Sequence, residues 1–175
     1  MLKTFLLAVL LFFAGNLRGA RPARPADVSS MDAIVAAVYD VISGPAGQKR
    51  DWDRMRSLFV DGARLIPTSR RPAGDWGPRV LDVEGYIDRS AAFLEKEGFF
   101  EKEVARRVET FGHIAHVFST YEGRRKADDA TPFVRGINSF QLVFDGTRWW
   151  VVTIFWEAEA EGAAIPPKYR ATPSS

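Results

Sequence analysis

Two hydrophobic periods divide the chain. At 100° per residue, Met31, Ile34, Val35, Val38 and Ile42 share one helical face, with Tyr39 at its edge and Asp40 opposite. The pattern predicts a helix from Met31 to Ser43, capped by Ser29 or Ser30 and stopped by Gly44-Pro45. After the polar turn Gly47 to Asp51, a short second helix is predicted over Trp52–Phe59. Asp61-Gly62 turns into a brief strand, Ala63–Pro67. The loop Thr68–Pro78 then has the length of a lid or mouth. A third helix, Val83–Lys96, buries Tyr86, Ile87, Ala91, Phe93 and Leu94 and ends near Gly98. From Phe99 onward the period falls from 3.6 to 2. Strands are predicted over Phe99–Phe111, Ile114–Glu122, Phe133–Phe144 and Arg148–Glu157, with turns at Gly112 and Asp145-Gly146 and a polar loop over Gly123–Pro132. Helices first and an antiparallel meander afterwards describe an α+β domain whose curved sheet wraps its helices.

Composition narrows the chemistry. The chain has 175 residues, 46% of them hydrophobic, enough for one domain with a real core. It has no cysteine, which excludes disulfides, thiolate catalysis, iron–sulfur clusters and thiolate zinc sites. His113 and His116, the only histidines, lie three apart on one strand and so point to opposite faces. No metal centre and no cofactor are expected. Lys3 followed by the ten-residue apolar run Phe5–Ala14 has the form of a signal peptide, about half the length of a membrane span. Residues 1–20 are therefore read as a leader, 21–30 as a spacer, 31–160 as the domain and 161–175 as a flexible tail, in a protein exported to the periplasm or beyond. Losing the leader removes Lys3 and Arg18, so the 24 basic residues fall to 22 against 22 acids. A neutral body argues against nucleic acid and, once the leader is gone, against a membrane. Arg70-Arg71, Arg106-Arg107 and Arg124-Arg125-Lys126 are read as solvated faces.

The early helix ending near Gly44, the stretch WDRMRSLFVDGARLIP and the closing hairpin FQLVFDGTRWWVVTIFW resemble the nuclear transport factor 2-like superfamily, which includes the SnoaL-like domains. The likeness runs from about Met31 to Glu157. It implies a cone-shaped α+β fold, about three helices on a curved, mainly antiparallel sheet, with a pocket between sheet and helices and a homodimer. It implies no single activity, since members include isomerases, cyclases, dehydratases and binding modules. The ketosteroid-isomerase branch carries an acid at the end of the first strand. Ala63-Arg64-Leu65-Ile66-Pro67 has none.

A two-residue Asp145-Gly146 turn would pair Gln141 with Trp150, Ser139 with Val152, Ile137 with Ile154 and Arg135 with Trp156. One face then carries Arg135, Ser139 and Gln141 among Trp150, Val152, Ile154 and Trp156, an apolar wall with a few polar anchors. On this reading Arg135 holds a ligand carboxylate. His116 shares a face with Phe118 and is the acid–base candidate, with Tyr39 offering a hydroxyl to the cavity. Trp76 and Tyr86 would close the mouth. Three functions stay open. The first is an exported, noncatalytic binder of a small, partly apolar molecule, with a carboxylate as one candidate group. The second is a lyase or isomerase using His116, with Tyr39 or Arg135 stabilising negative charge. The third is a partner-binding module whose cavity is filled by Trp150, Trp156 and Phe118.

Overall fold

A computed structural model describes residues 22–170. The elements are α1 (Pro25–Val28), α2 (Met31–Ile42), α3 (Trp52–Arg56), β1 (Phe59–Arg70), β2 (Trp76–Pro78), α4 (Val83–Glu97), β3 (Phe100–Phe111), β4 (Ile114–Arg124), β5 (Val134–Phe144) and β6 (Trp149–Ala158). Six strands form one sheet in the order β2-β1-β6-β5-β4-β3, antiparallel except for β1 against β6. The architecture is α+β, as the helices-then-strands order predicts, with the cone shape that the resemblance implied. The leader proposed for residues 1–20 and the last five residues lie outside the described residues.

Local chemistry explains the helix ends. The Ser30 side chain accepts from the Ala33 amide, Asp51 from Arg54 and Asp82 from Gly85. Gly98, with φ of 69°, ends α4 in a conformation that glycine adopts without strain. Arg50 ties the helix ends together. Its buried guanidinium donates to the carbonyls of Ile42, Gly44 and Leu94, joining the end of α2 to the end of α4.

The core lies between α2 and the concave sheet face. Ile34, Val35, Val38 and Val41 pack against Val117, Phe140, Leu142, Val151 and Ile154, all buried. Tyr39, expected at the edge of the apolar face of α2, is 5% exposed and meets Phe140 edge-on.

Several boundaries differ from expectation: the helix expected over Trp52–Phe59 ends at Arg56, and Phe59 opens β1. The spacer contains α1, because Asp27 is buried and clamped by Arg54 through two hydrogen bonds of 2.8 and 2.9 Å. The Thr68–Pro78 loop is mostly strand, with β1 running to Arg70 and turning back into β2. The described part of the tail crosses the convex sheet face. There Ile165 is buried, Tyr169 packs 4.9 Å from Phe118 and Arg107 donates to the Lys168 carbonyl.

The largest difference is the closing hairpin. Its turn spans four residues, because the Asp145 carboxylate accepts from the Thr147 and Arg148 amides, the Thr147 hydroxyl and Trp150 Nε1. A bulge between Gln141 and Leu142 adds one more offset. Ser139 therefore pairs with Phe155 and Asn138 with Trp156, not Ser139 with Val152 or Arg135 with Trp156. An odd change of register exchanges faces. Asn138, Phe140 and Leu142 join Ile154 and Trp156 on the concave side, whereas Arg135, Ser139 and Gln141 point outward with Phe155.

Candidate functional site

A cavity of about 340 Å³ lies between the concave face and helices α2 and α4. Its walls are mainly apolar and aromatic: Ile42, Met55, Leu65, Phe93, Phe99, Phe140 and Trp156. Trp156 is held edge-on against Tyr86 of α4 at 6.1 Å. Among the described residues no lysine, arginine or histidine lines it. Its polar groups are Glu101, Asn138, Ser90, Tyr86 and Tyr121, with Tyr39 bonded to Asn138 beside them.

Among the described residues Glu101 is the single carboxylate lining this cavity. It stands on β3, where strand alternation places Glu101 and Glu103 on the concave side. Asn138 Nδ2 donates to Glu101 Oε1 at 3.0 Å and is its only side-chain hydrogen-bond partner among the described residues. Burial pushes the Glu101 carboxyl from an ordinary 4.5 up to about 7, opposed by the Asn138 bond. Burial thus moves Glu101 toward the neutral range, and Oε2 has no hydrogen-bond partner among the described residues.

A directional chain fixes this group. Asn138 Nδ2 also donates to Tyr39 Oη at 3.1 Å. Tyr39 and Ser119 share a hydrogen bond of 2.7 Å, and the Ser119 hydroxyl donates to Glu103 Oε2. Since Ser119 spends its proton on Glu103, Tyr39 must donate to Ser119. Arg106 holds Glu103 at 2.6 Å. The chain therefore leaves Asn138 oriented with its N–H groups toward both Tyr39 and Glu101.

Tyr121 is different. It is 4% exposed, lines the cavity, and its hydroxyl has no hydrogen-bond partner among the described residues. Burial and the nearby Glu101 charge raise its pKa, so the phenol remains a proton donor. Its ring lies over Gly136, its cross-strand partner, where an added Cβ would sit 2.5 Å from the hydroxyl oxygen. Glycine at 136 makes room for the phenol.

The sequence-derived candidates divide by face. Tyr86 and Trp156 line the cavity, and Tyr39 stands beside it, bonded to Asn138. Arg135 is exposed and paired with Glu159 at 2.8 Å. Ser139, Gln141, His116 and Phe118 lie on the convex face, and Trp150 stacks there on Arg148 at 3.6 Å beside the turn. Trp76 is 46% exposed on the edge strand β2. Because Phe118 and Trp150 point outward, the cavity is not filled in the way the third function supposed. Among the described residues no group of three or more metal-ligating side chains converges. None of the described helices is long and apolar enough to cross a membrane.

Sequence reasoning missed Glu101, Asn138 and Tyr121. A signal was present in β4 and β5. Ala115, Val117, Ser119 and Tyr121, like Asn138, Phe140 and Leu142, form inward rows whose polar members cluster at one end.

No family model and no curated protein sequence matches this chain. Solved structures do. A Nostoc punctiforme protein of unknown function, described as having a cystatin-like fold, superposes with a TM-score of 0.56 at 12% identity, over 79% of this chain and 96% of its own. A Kribbella flavida protein reaches 0.54 at 12% identity, covering 75% of this chain and 90% of its own. A nuclear transport factor 2-like protein of unknown function from Silicibacter pomeroyi reaches 0.50 at 15% identity, over 75% and 94%. The fold is nuclear transport factor 2-like. At these identities the likeness speaks for the nuclear transport factor 2-like backbone alone, and the chemistry has to come from the side chains.

Proposed function

We propose that the cavity binds a small, uncharged, largely apolar molecule bearing a carbonyl or hydroxyl group, and that Glu101 moves a proton on it without a cofactor. The observation that carries this reading is a cavity-facing carboxyl poised near neutrality beside an unpartnered, buried phenol. A carboxylate ligand fits this cavity poorly, because Glu101 would repel it and no cation lines the wall.

The chemistry follows from the two free atoms. Ionised Glu101 Oε2 takes a proton from the carbon next to a bound carbonyl. The carbonyl oxygen gains negative charge as the enolate forms, and the Tyr121 hydroxyl donates to it. Glu101 then returns the proton to the same carbon or to a conjugated one. Asn138 keeps the carboxyl aimed during both steps. This replaces the His116 version of the isomerase reading, since His116 stands on the far face of the sheet.

The test uses β-tetralone, a cavity-sized ketone, in deuterated buffer, with deuterium uptake next to the carbonyl followed by mass spectrometry. Wild-type protein is expected to accelerate uptake, increasingly as pH rises through 7, and Glu101→Gln to abolish the acceleration. Binding of β-naphthol, read by tryptophan fluorescence, without any acceleration would leave a binding module and overturn the proton-transfer reading.

A further inference from the structure

The convex face carries a second constellation, remote from the cavity. His116 Nε2 and Ser139 Oγ are 3.0 Å apart, joined across β4 and β5. On the other side of the ring, His116 Nδ1 lies 3.8 Å from Glu109 Oε2, its cross-strand neighbour on β3. Three adjacent strands thus place carboxylate, imidazole and hydroxyl in sequence, with His116 and Ser139 at hydrogen-bond distance and the exposed Glu109 carboxylate at ion-pair distance beyond them. The flanking Phe118 meets the His116 ring edge-on at 5.8 Å.

Ser139 also borders an apolar groove of about 300 Å³. The groove is walled by Phe118, Ile137 and Phe155 from the sheet and by Ile165 and Pro166 from the segment crossing it. Gln141, directly across from His116 in the ladder, supplies an exposed side-chain amide on the same face. The arrangement combines a nucleophile with a base, an acid within ion-pair reach of that base, an apolar slot for an acyl chain and a nearby amide donor.

We infer that Ser139, His116 and Glu109 form a serine-nucleophile site that accepts small acyl esters of apolar carboxylic acids. With its proton on Nδ1 toward Glu109, His116 accepts the Ser139 proton at Nε2 as Oγ bonds to the ester carbonyl carbon. The carbon–oxygen bond to the alcohol then breaks, and His116 returns the proton to the departing oxygen. Water, deprotonated in turn by His116, releases the carboxylic acid and restores the Ser139 hydroxyl. No oxidant, metal or co-reactant besides water is consumed.

The test uses a fluorophosphonate probe, in which Oγ–P bond formation expels fluoride, followed by intact mass and peptide mapping. A single adduct is expected, on the peptide containing Ser139, and none on Ser139→Ala. His116→Gln should slow both labelling and p-nitrophenyl butyrate hydrolysis by about 100-fold, the ordinary worth of a positioned base. Glu109→Gln should slow them less, since this acid is exposed and only orients the ring. Circular dichroism of each variant separates misfolding from lost chemistry, and none of these residues touches the cavity. An adduct elsewhere, no adduct on folded protein, or labelling indifferent to His116→Gln would overturn the assignment.

Discussion

Replacing Glu101 with Gln should make the protein more stable in mild base and no more stable in acid. Burial raises this carboxyl from 4.5 to about 7, so between those values the folded chain holds a proton that the unfolded chain releases. The sign follows directly: a raised acid pKa makes the folded state lose stability as pH climbs through that window. The cost is absent below about pH 4 and complete above about pH 8. At about 1.4 kcal/mol per pH unit, the gap amounts to about 3 kcal/mol at full ionisation. Glutamine keeps the shape and an oxygen for Asn138 but has no charge to bury, so it removes this cost. Urea unfolding followed by tryptophan fluorescence should therefore show Glu101→Gln gaining about 3 kcal/mol at pH 8.5 and less than about 1 kcal/mol at pH 5. An equal effect at both pH values, or a loss at pH 8.5, would refute the burial argument. The gain should come with loss of ketone exchange, as expected where a site is held at the expense of stability.

Three further outcomes follow. Tyr121→Phe removes a hydroxyl that has no hydrogen-bond partner among the described residues, so its melting temperature should stay close to wild type while β-tetralone exchange falls by about 100-fold. Gly136→Ala would bring a Cβ within 2.4 Å of the Glu157 carbonyl and 2.5 Å of the Tyr121 hydroxyl, so calorimetry should show a loss of about 2 kcal/mol together with impaired exchange. Asp27→Asn breaks the pair that fastens α1 to α3 and should cost about 3 kcal/mol in urea unfolding at pH 7. Arg54 holds the Asp27 carboxyl below the usual carboxylate range, so wild type loses this contribution as pH falls below 4 and the difference between the two proteins should shrink there.

Much of the fold was legible because period and punctuation agree along the chain. Ser30, Gly44 and Gly98 mark helix ends, and the change of period at Phe99 marks the start of the meander. The site was hidden by register. Asp145-Gly146 has the signature of a tight hairpin, but the Asp145 side chain collects four donors and opens the turn to four residues. That slips the pairing by two, and the bulge between Gln141 and Leu142 adds the odd step that sets Arg135, Ser139 and Gln141 on the convex face and Asn138 in the cavity. The widened turn by itself keeps the faces, so the single extra residue of the bulge is what reassigned them. Glu101 was hidden for another reason. In Phe-Phe-Glu-Lys-Glu-Val it looks like one charge of a solvated strand, and only the α2 contact through Tyr39 and the neighbouring Asn138 encloses it. Ser139 and His116, singled out separately in the sequence, meet because β4 and β5 pair, which no spacing along the chain records.

The site turns on Glu101, a cavity carboxyl that burial moves into the neutral range. Carboxyl-carbon NMR of protein labelled at glutamate, with the Glu101 signal assigned by its loss in Glu101→Gln, measures this directly. The account predicts a titration midpoint near 7 that moves when β-naphthol fills the cavity. A midpoint near the ordinary 4.5, unmoved by β-naphthol, would contradict it.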